Sequence, residues 1–194
     1  MGFFERIANS IFLIATGDSN KRWLLTPLVA FLFGCFVSLF FVTAYLVDRW
    51  LKLPSISYLP WTLIAGLILL IPGTILLVWT WVQFVMAKGT PAPVNPPQKL
   101  ITEGLYAYSR NPMVSSMIVI AFATGLLSGS LSLTFLFAPL FMLFFYFQTT
   151  LVEEKEMELK FGQDYLDYKK KVPRFFPRIF RKHNRGYDAP IRKP

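Results

Sequence analysis

The chain has 194 residues, 54% of them hydrophobic, 17% aromatic and 16% charged, where a soluble domain averages about 25% charged. Twenty phenylalanines and five tryptophans exceed what one water-soluble core of this size would bury. The apolar residues also come in runs rather than at amphipathic spacing, which points to an integral membrane protein. The formal net charge of +9 would suit nucleic acid, but its basic residues gather in the stretch KKKVPRFFPRIFRKHNR beside the last apolar run. Attraction to anionic lipid headgroups, at about 1 kcal/mol per residue, accounts for such a cluster, so no nucleic-acid partner is expected. Lone Cys35, in the first apolar run, reads as a small core residue. His183 is the single histidine, so neither a zinc site nor Ser-His or Cys-His chemistry has its parts, and no metal is expected.

In chain order, the opening MGFFERIANSIFLI places Phe4, Ile7, Ile11 and Ile14 at helical spacing, with Glu5, Arg6, Asn9 and Ser10 elsewhere around the helix. This predicts an interfacial helix within residues 1–23. The basic start and small-residue cleavage site of a signal peptide are missing. A spanning helix needs roughly 20 mostly apolar residues. Leu24–Val47 and Trp61–Met86 meet this, Val114–Leu127 is short, and Leu131–Val152 is again full length. Residues 128–130, SGS, join the last two as a tight hairpin. The expectation is an all-α, multi-pass integral membrane protein with four transmembrane helices and a cytosolic C-terminal helical segment. Arg6, Lys21 and Arg22 precede the first span, Lys88, Lys99 and Arg110 lie between the second and third, and twelve Lys and Arg follow from Lys155 onward. The opposite side carries only Arg49 and Lys52, so both termini are expected in the cytosol.

Two cytosolic segments can carry chemistry. The connection 87–112 holds Pro91, Pro93, Pro96, Pro97 and Pro112, which forbid a continuous helix. It is longer than a plain connector and ends in GLYAYSRNP, against the third span. After the fourth span, TTLVEEKEMELKFGQDYLDYKKKVPRFFP aligns Glu154, Glu158, Phe161, Tyr165 and Tyr168 on one helical face, with a break expected near Gly162. Glu156 with Lys160 and Asp167 with Lys171 read as solvated i,i+4 pairs. Glu153 and Glu154 come directly after the apolar LFFYFQTTLV, and a carboxylate at the edge of the hydrocarbon calls for a partner or ligand. The topology brings them to the side that carries Arg110 and Asn111. Arginine, an amide, two carboxylates and aromatic rings suit a zwitterionic or cationic ligand better than a metal.

The run GTPAPVNPPQKLITEGLYAYSRNPM, an apolar hairpin, the pair EE and then FGQDYLDYKKKVPRFFP together resemble the isoprenylcysteine carboxyl methyltransferase and phospholipid methyltransferase superfamily, in a branch of bacterial look. The resemblance covers about residues 87–177. It implies a multi-pass membrane enzyme, in a bacterial-type inner membrane, that takes S-adenosylmethionine as cofactor. Its parts would be an interfacial helix 1–23, two transmembrane helices 24–86, a methyltransferase-like core 87–177 and a basic tail 178–194. The family pattern has Arg-His-Pro and then Tyr two residues on; Arg110 and Pro112 match, while Asn111 and Val114 stand at the His and Tyr positions. Asparagine can donate and accept hydrogen bonds but cannot take up a proton near neutral pH. For the cofactor's positive charge the resemblance points to Glu153 and Glu154; Arg110 and Asn111, in the motif with Pro112 and Met113, can donate to its carboxylate, and the faces of Tyr106, Tyr165 and Tyr168 offer cation–π contact. The resemblance assigns catalytic work to Glu154 and Arg174. The acceptor would be a membrane lipid or lipophilic small molecule: an isoprenylcysteine-like carboxylate, a lipid amine or a small thiol. Two rival readings are an NADPH-dependent membrane sterol-type reductase and a non-catalytic lipid-binding or scaffold protein of the same fold.

Overall fold

The computed structural model describes residues 2–56, 60–97 and 99–175; Pro177, His183 and the basic tail 178–194 lie outside the described residues. All regular elements among the described residues are helical. They are α1 (Phe3–Thr16), α2 (Ser19–Trp50), α3 (Pro60–Met86), α4 (Pro112–Ser128), α5 (Ala138–Gln148), α6 (Glu154–Phe161) and α7 (Gln163–Lys171). Wider π-helical turns, Leu133–Phe137 and Thr149–Glu153, flank α5, so that Leu133–Phe161 runs as one long apolar helix. Three helices, Ser19–Trp50, Pro60–Met86 and Leu133–Phe161, are long and apolar enough to cross a membrane, whereas α4 is shorter at 17 residues. The chain is therefore an integral membrane protein whose described residues form helices as their regular structure.

Local chemistry sets the helix ends. Asp18 Oδ1 accepts a hydrogen bond from Asn20 N at 3.0 Å, an N-cap that starts α2 ahead of its apolar run. Helix α4 starts at Pro112, where a missing N–H costs nothing. Gly162, at φ 59°, ends α6 and opens α7.

The helices pack as two compact units. One comprises residues 31–78 and 113–145. Phe36 and Phe40 lie against Phe141 at 6.5 and 5.5 Å between ring centres. A Cβ on Gly66 would stand 2.6 Å from Leu127 Cγ, so α3 and α4 approach as closely as a bare glycine permits. Asp48, near the end of α2, accepts from Ser132 N at 2.9 Å and from the Ser130 hydroxyl, fixing the SGS hairpin. Cys35 is exposed rather than in a core. Helix α2 buries only Ala44, and most of its large apolar side chains are exposed, as contact with lipid requires.

Among the described residues, the other unit comprises 2–30, 79–97, 99–112 and 146–175. Helix α1 buries Ala8 and Ala15 and packs against α6 and the π turn before it. Glu5 meets Lys155 at 3.6 Å, and Arg22 Nη1 donates to Ala15 O at 3.1 Å. Leu100, Phe161, Tyr165, Tyr168 and Val172 form a buried cluster that seats α7 on the proline-rich loop. The Glu156–Lys160 pair is not solvated: the two residues are 4% and 1% exposed and paired to each other. Asp167 keeps to the surface, bonded to Lys170 and Gln163 at 3.0 Å.

Candidate functional site

Glu154 is the first residue after the π turn Thr149–Glu153. The extra residue in that turn re-aims α6, and Glu154 ends up 2% exposed. A buried carboxylate needs cationic partners, and the fold supplies three. Oε1 accepts from Arg174 Nε at 2.7 Å and lies 3.0 Å from Arg110 Nη1. Oε2 accepts from Arg174 Nη2 at 3.2 Å and lies 2.8 Å from Lys169 Nζ. Side-chain exposure rises from 3% at Glu154 through 8% at Arg110 and 23% at Arg174 to 34% at Lys169, so the carboxylate is the most buried of the four and Lys169 the most exposed.

The arginines arrive from segments far apart in sequence. Pro173 follows the end of α7, and residues 173–174 lie along the loop before α4. Arg110 N donates to Pro173 O at 2.9 Å. Arg174 O receives Asn111 N at 3.0 Å, Ser109 Oγ at 3.1 Å and Asn111 Nδ2 at 3.4 Å. Asn111, 7% exposed, thus directs its amide donor to the backbone of the residue whose guanidinium holds Glu154. Arg174 also lies 5.3 Å from the centre of the Tyr146 ring. Its hydrogen bond to Glu154 comes first among the effects that hold its pKa above the ordinary arginine value. Burial opposes the charge on Lys169, but hydrogen bonds to Glu154 and Glu158 outweigh it and raise its pKa.

Glu153 is half-buried and accepts from Thr149 Oγ1 at 3.3 Å. The Tyr106 ring meets Phe84 edge-on at 6.0 Å, and its carbonyl accepts from Tyr168 Oη at 2.7 Å. Tyr165 and Tyr168 are each 3% exposed in the cluster under α7. Burial, then the charge of Glu154, pushes the Tyr165 hydroxyl well above the usual tyrosine range, with Arg110 acting the other way. Pro112 is buried at the start of α4. The structure therefore gathers Tyr106, Arg110, Asn111, Pro112, Glu153, Glu154, Tyr165, Tyr168 and Arg174 into one unit; Met113 is half-buried in the other.

Lys169, Ser109 and Tyr146 belong to this cluster, and sequence reasoning did not single them out. Lys169 looks in the sequence like one of a lipid-attracted KKK run. The signal for it was Gly162, whose turn lets α7 fold back on α6. Arg110 Nε and Nη1 are both buried without a hydrogen-bond partner among the described residues; Nη1 faces Glu154 Oε1 at 3.0 Å as an ion pair, which leaves Nε as a donor in reserve.

A family model described as phospholipid methyltransferase matches residues 61–164. Over 85 residues the chain is 36% identical to the protein-S-isoprenylcysteine O-methyltransferase of Schizosaccharomyces pombe, a match covering 44% of this chain and 36% of that relative. No solved structure shows significant similarity to the chain.

Proposed function

The chain belongs to the phospholipid methyltransferase family, and from that premise we propose that it is an S-adenosylmethionine-dependent membrane methyltransferase acting on a lipophilic acceptor. The observation that carries this reading is the convergence of Arg110, Arg174 and Lys169 on buried Glu154. The amino-acid end of the cofactor needs a carboxylate near its ammonium and donors near its carboxylate. Glu153 and Glu154 supply the first and the reserve donor of Arg110 the second, so the residues present fit the group.

When bound, the cofactor supplies a sulfonium whose methyl carbon is already activated, so the protein's task is to align the reactants at about 3–3.5 Å and exclude water. Arg110 and Glu154 hold the cofactor's charged end, Asn111 holds the Arg174 backbone, and Tyr106, Tyr165 and Tyr168 wall the site. Pro112 opens α4 beside it, and Met113 follows in the matched motif. Arg174, with its neighbour Lys169, presents charge to an anionic group on the acceptor, so Arg174 and Glu154 carry the catalytic roles. Candidate acceptors are an isoprenylcysteine-like carboxylate, a lipid amine and a small thiol. Asn111 takes no proton, so an amine or thiol acceptor must lose its proton elsewhere.

The same proposal covers topology. Ion pairs Glu5–Lys155 and Arg110–Glu154 support a reading in which α1, the 87–112 loop and the start of α6 share one membrane side. An even number of crossings between Arg110 and Glu154 supports α4 as a fourth span, and the proposal puts both termini in the cytosol of a bacterial-type inner membrane, as the distribution of Lys and Arg favours. The parts of the chain are then an interfacial helix 1–23, two spans 24–86, the catalytic core 87–177 and a lipid-binding tail 178–194.

Cofactor binding to the purified chain in detergent tests the proposal. Expected are saturable S-adenosylmethionine binding and transfer of labelled methyl into lipids, prenyl-cysteines or small thiols. Tight NADPH binding without S-adenosylmethionine binding would instead favour a reductase. Cofactor binding with no methyl incorporation into any of these acceptors would favour a lipid-binding scaffold.

A further inference from the structure

Glu154 is held by two guanidinium groups and one ammonium, and these differ in how easily they leave. Arg110 is almost wholly buried, and Arg174 binds both carboxylate oxygens. Lys169 touches Oε2 alone, at 2.8 Å, is a third exposed, and has a second partner in Glu158 Oε1 at 2.9 Å. Glu158 is itself 36% exposed at the side chain. An ammonium is a compact cation on a flexible stem, and one can replace another at a carboxylate oxygen without a change in shape or charge. If a ligand ammonium takes Oε2, both arginines keep their contacts, and Lys169 keeps the pair to Glu158. The exchange therefore costs one partly exposed ion pair and forms another.

We propose that Lys169 is an internal stand-in for a ligand's ammonium group: the Oε2 side of Glu154 is a primary-ammonium subsite, and a ligand fills it by moving Lys169 onto Glu158. The ligand class is a primary ammonium bearing a carboxylate, with Arg110 Nε as the donor left for that carboxylate. The amino-acid end of the cofactor has this chemistry, and the identity of the ligand rests on the function proposed above. The subsite makes the resting protein self-neutralised: no buried carboxylate waits unpaired for its ligand, and binding pays only for the displacement of one lysine.

Calorimetric titration of the full chain in detergent with S-adenosylhomocysteine and with its des-amino analogue tests the subsite. Lys169→Met removes the competitor, so S-adenosylhomocysteine should bind about three- to fivefold tighter, the worth of a partly exposed pair. The des-amino analogue, lacking the ammonium, should bind no tighter. Lys170→Met removes the same charge from a lysine that is 71% exposed and paired with Asp167, and should change neither affinity. Weaker S-adenosylhomocysteine binding by Lys169→Met, or equal tightening of both compounds, would overturn the subsite and leave the cofactor assignment standing. Equal tightening by Lys170→Met would reduce the effect to general charge and also overturn it. If the unaltered chain binds neither compound, the cofactor assignment falls and the subsite falls with it.

Discussion

Glu153 and Glu154 adjoin in sequence, yet a turn of widened helix gives them unlike partners. Glu154 lies within 3.2 Å of three cationic side chains, whereas Glu153 accepts one long bond from Thr149. Removing the charge from a buried, multiply paired carboxylate strands its partners, at about 3–5 kcal/mol. Glu154→Gln should therefore lower stability by about that much, measured by unfolding in detergent, while Glu153→Gln should cost less than about 1 kcal/mol. Equal losses would mean that the two carboxylates are interchangeable in the fold. The same cluster sets behaviour at high pH. Burial, and nearby Glu153 for Tyr106 and Glu154 for Tyr165, raise those hydroxyls, and burial beside Tyr165 raises Tyr168. A raised tyrosine pKa favours the protonated, folded state, so this stability is present below the ordinary value of about 10 and is lost above it. Lys169, also raised, contributes below the ordinary lysine value and loses its pairs as pH passes its folded pKa. The two effects agree in sign. Stability of this unit should hold from neutral pH to about pH 10 and fall beyond it. Ultraviolet titration should show these three of the eight tyrosines ionising only as the protein unfolds.

Among the helices, the α6–α7 junction decides whether Lys169 reaches Glu154. Gly162 sits at φ 59° and ψ −126°, a conformation essentially reserved for glycine. Gly162→Ala should cost roughly 1–3 kcal/mol of stability. Gly34→Ala, in a helix with nothing within 4 Å of the new methyl, should be neutral or stabilising by up to about 1 kcal/mol. If both alanines behave alike in unfolding, the turn at Gly162 is not under conformational constraint. The break at Gly162, the SGS hairpin and the long apolar runs were legible because each rests on composition or on one residue's backbone freedom. The π turns were not, since inserting a residue into a helical turn depends on tertiary contacts and leaves no periodic mark. The Glu156–Lys160 pair misled for a related reason: an i,i+4 pair reads the same whether water or another element lies over it, and α1 packs on α6. Asn111 was legible as a departure from the family pattern, but its hold on Arg174 O joins residues 63 apart and needed the fold.

At the scale of the molecule, the ion pairs act as a constraint on topology. Arg110 precedes α4 and Glu154 lies near the far end of the long apolar helix, yet their charged atoms are 3.0 Å apart. If Leu133–Phe161 crosses the bilayer, the chain must have crossed in the opposite sense just before it, and α4 is the one element between them that can do so. Its 17 residues extend about 25 Å, slightly under the roughly 30 Å hydrocarbon core, a mismatch that local thinning accommodates at modest cost. On the proposed four-span topology, the distribution of Lys and Arg favours an orientation with Arg110, Glu154 and both termini inside. Single cysteines in a Cys35→Ala background test this with a membrane-impermeant thiol reagent on intact cells. Leu53→Cys, between α2 and α3, and Ser128→Cys, at the end of α4, should both label from outside. Glu103→Cys, in the loop before α4, should label only after permeabilisation. Labelling of Ser128→Cys and Glu103→Cys from the same side would remove α4 as a span. The long apolar helix would then have to deliver Glu154 to the membrane face opposite Arg110, which the ion pair between them forbids.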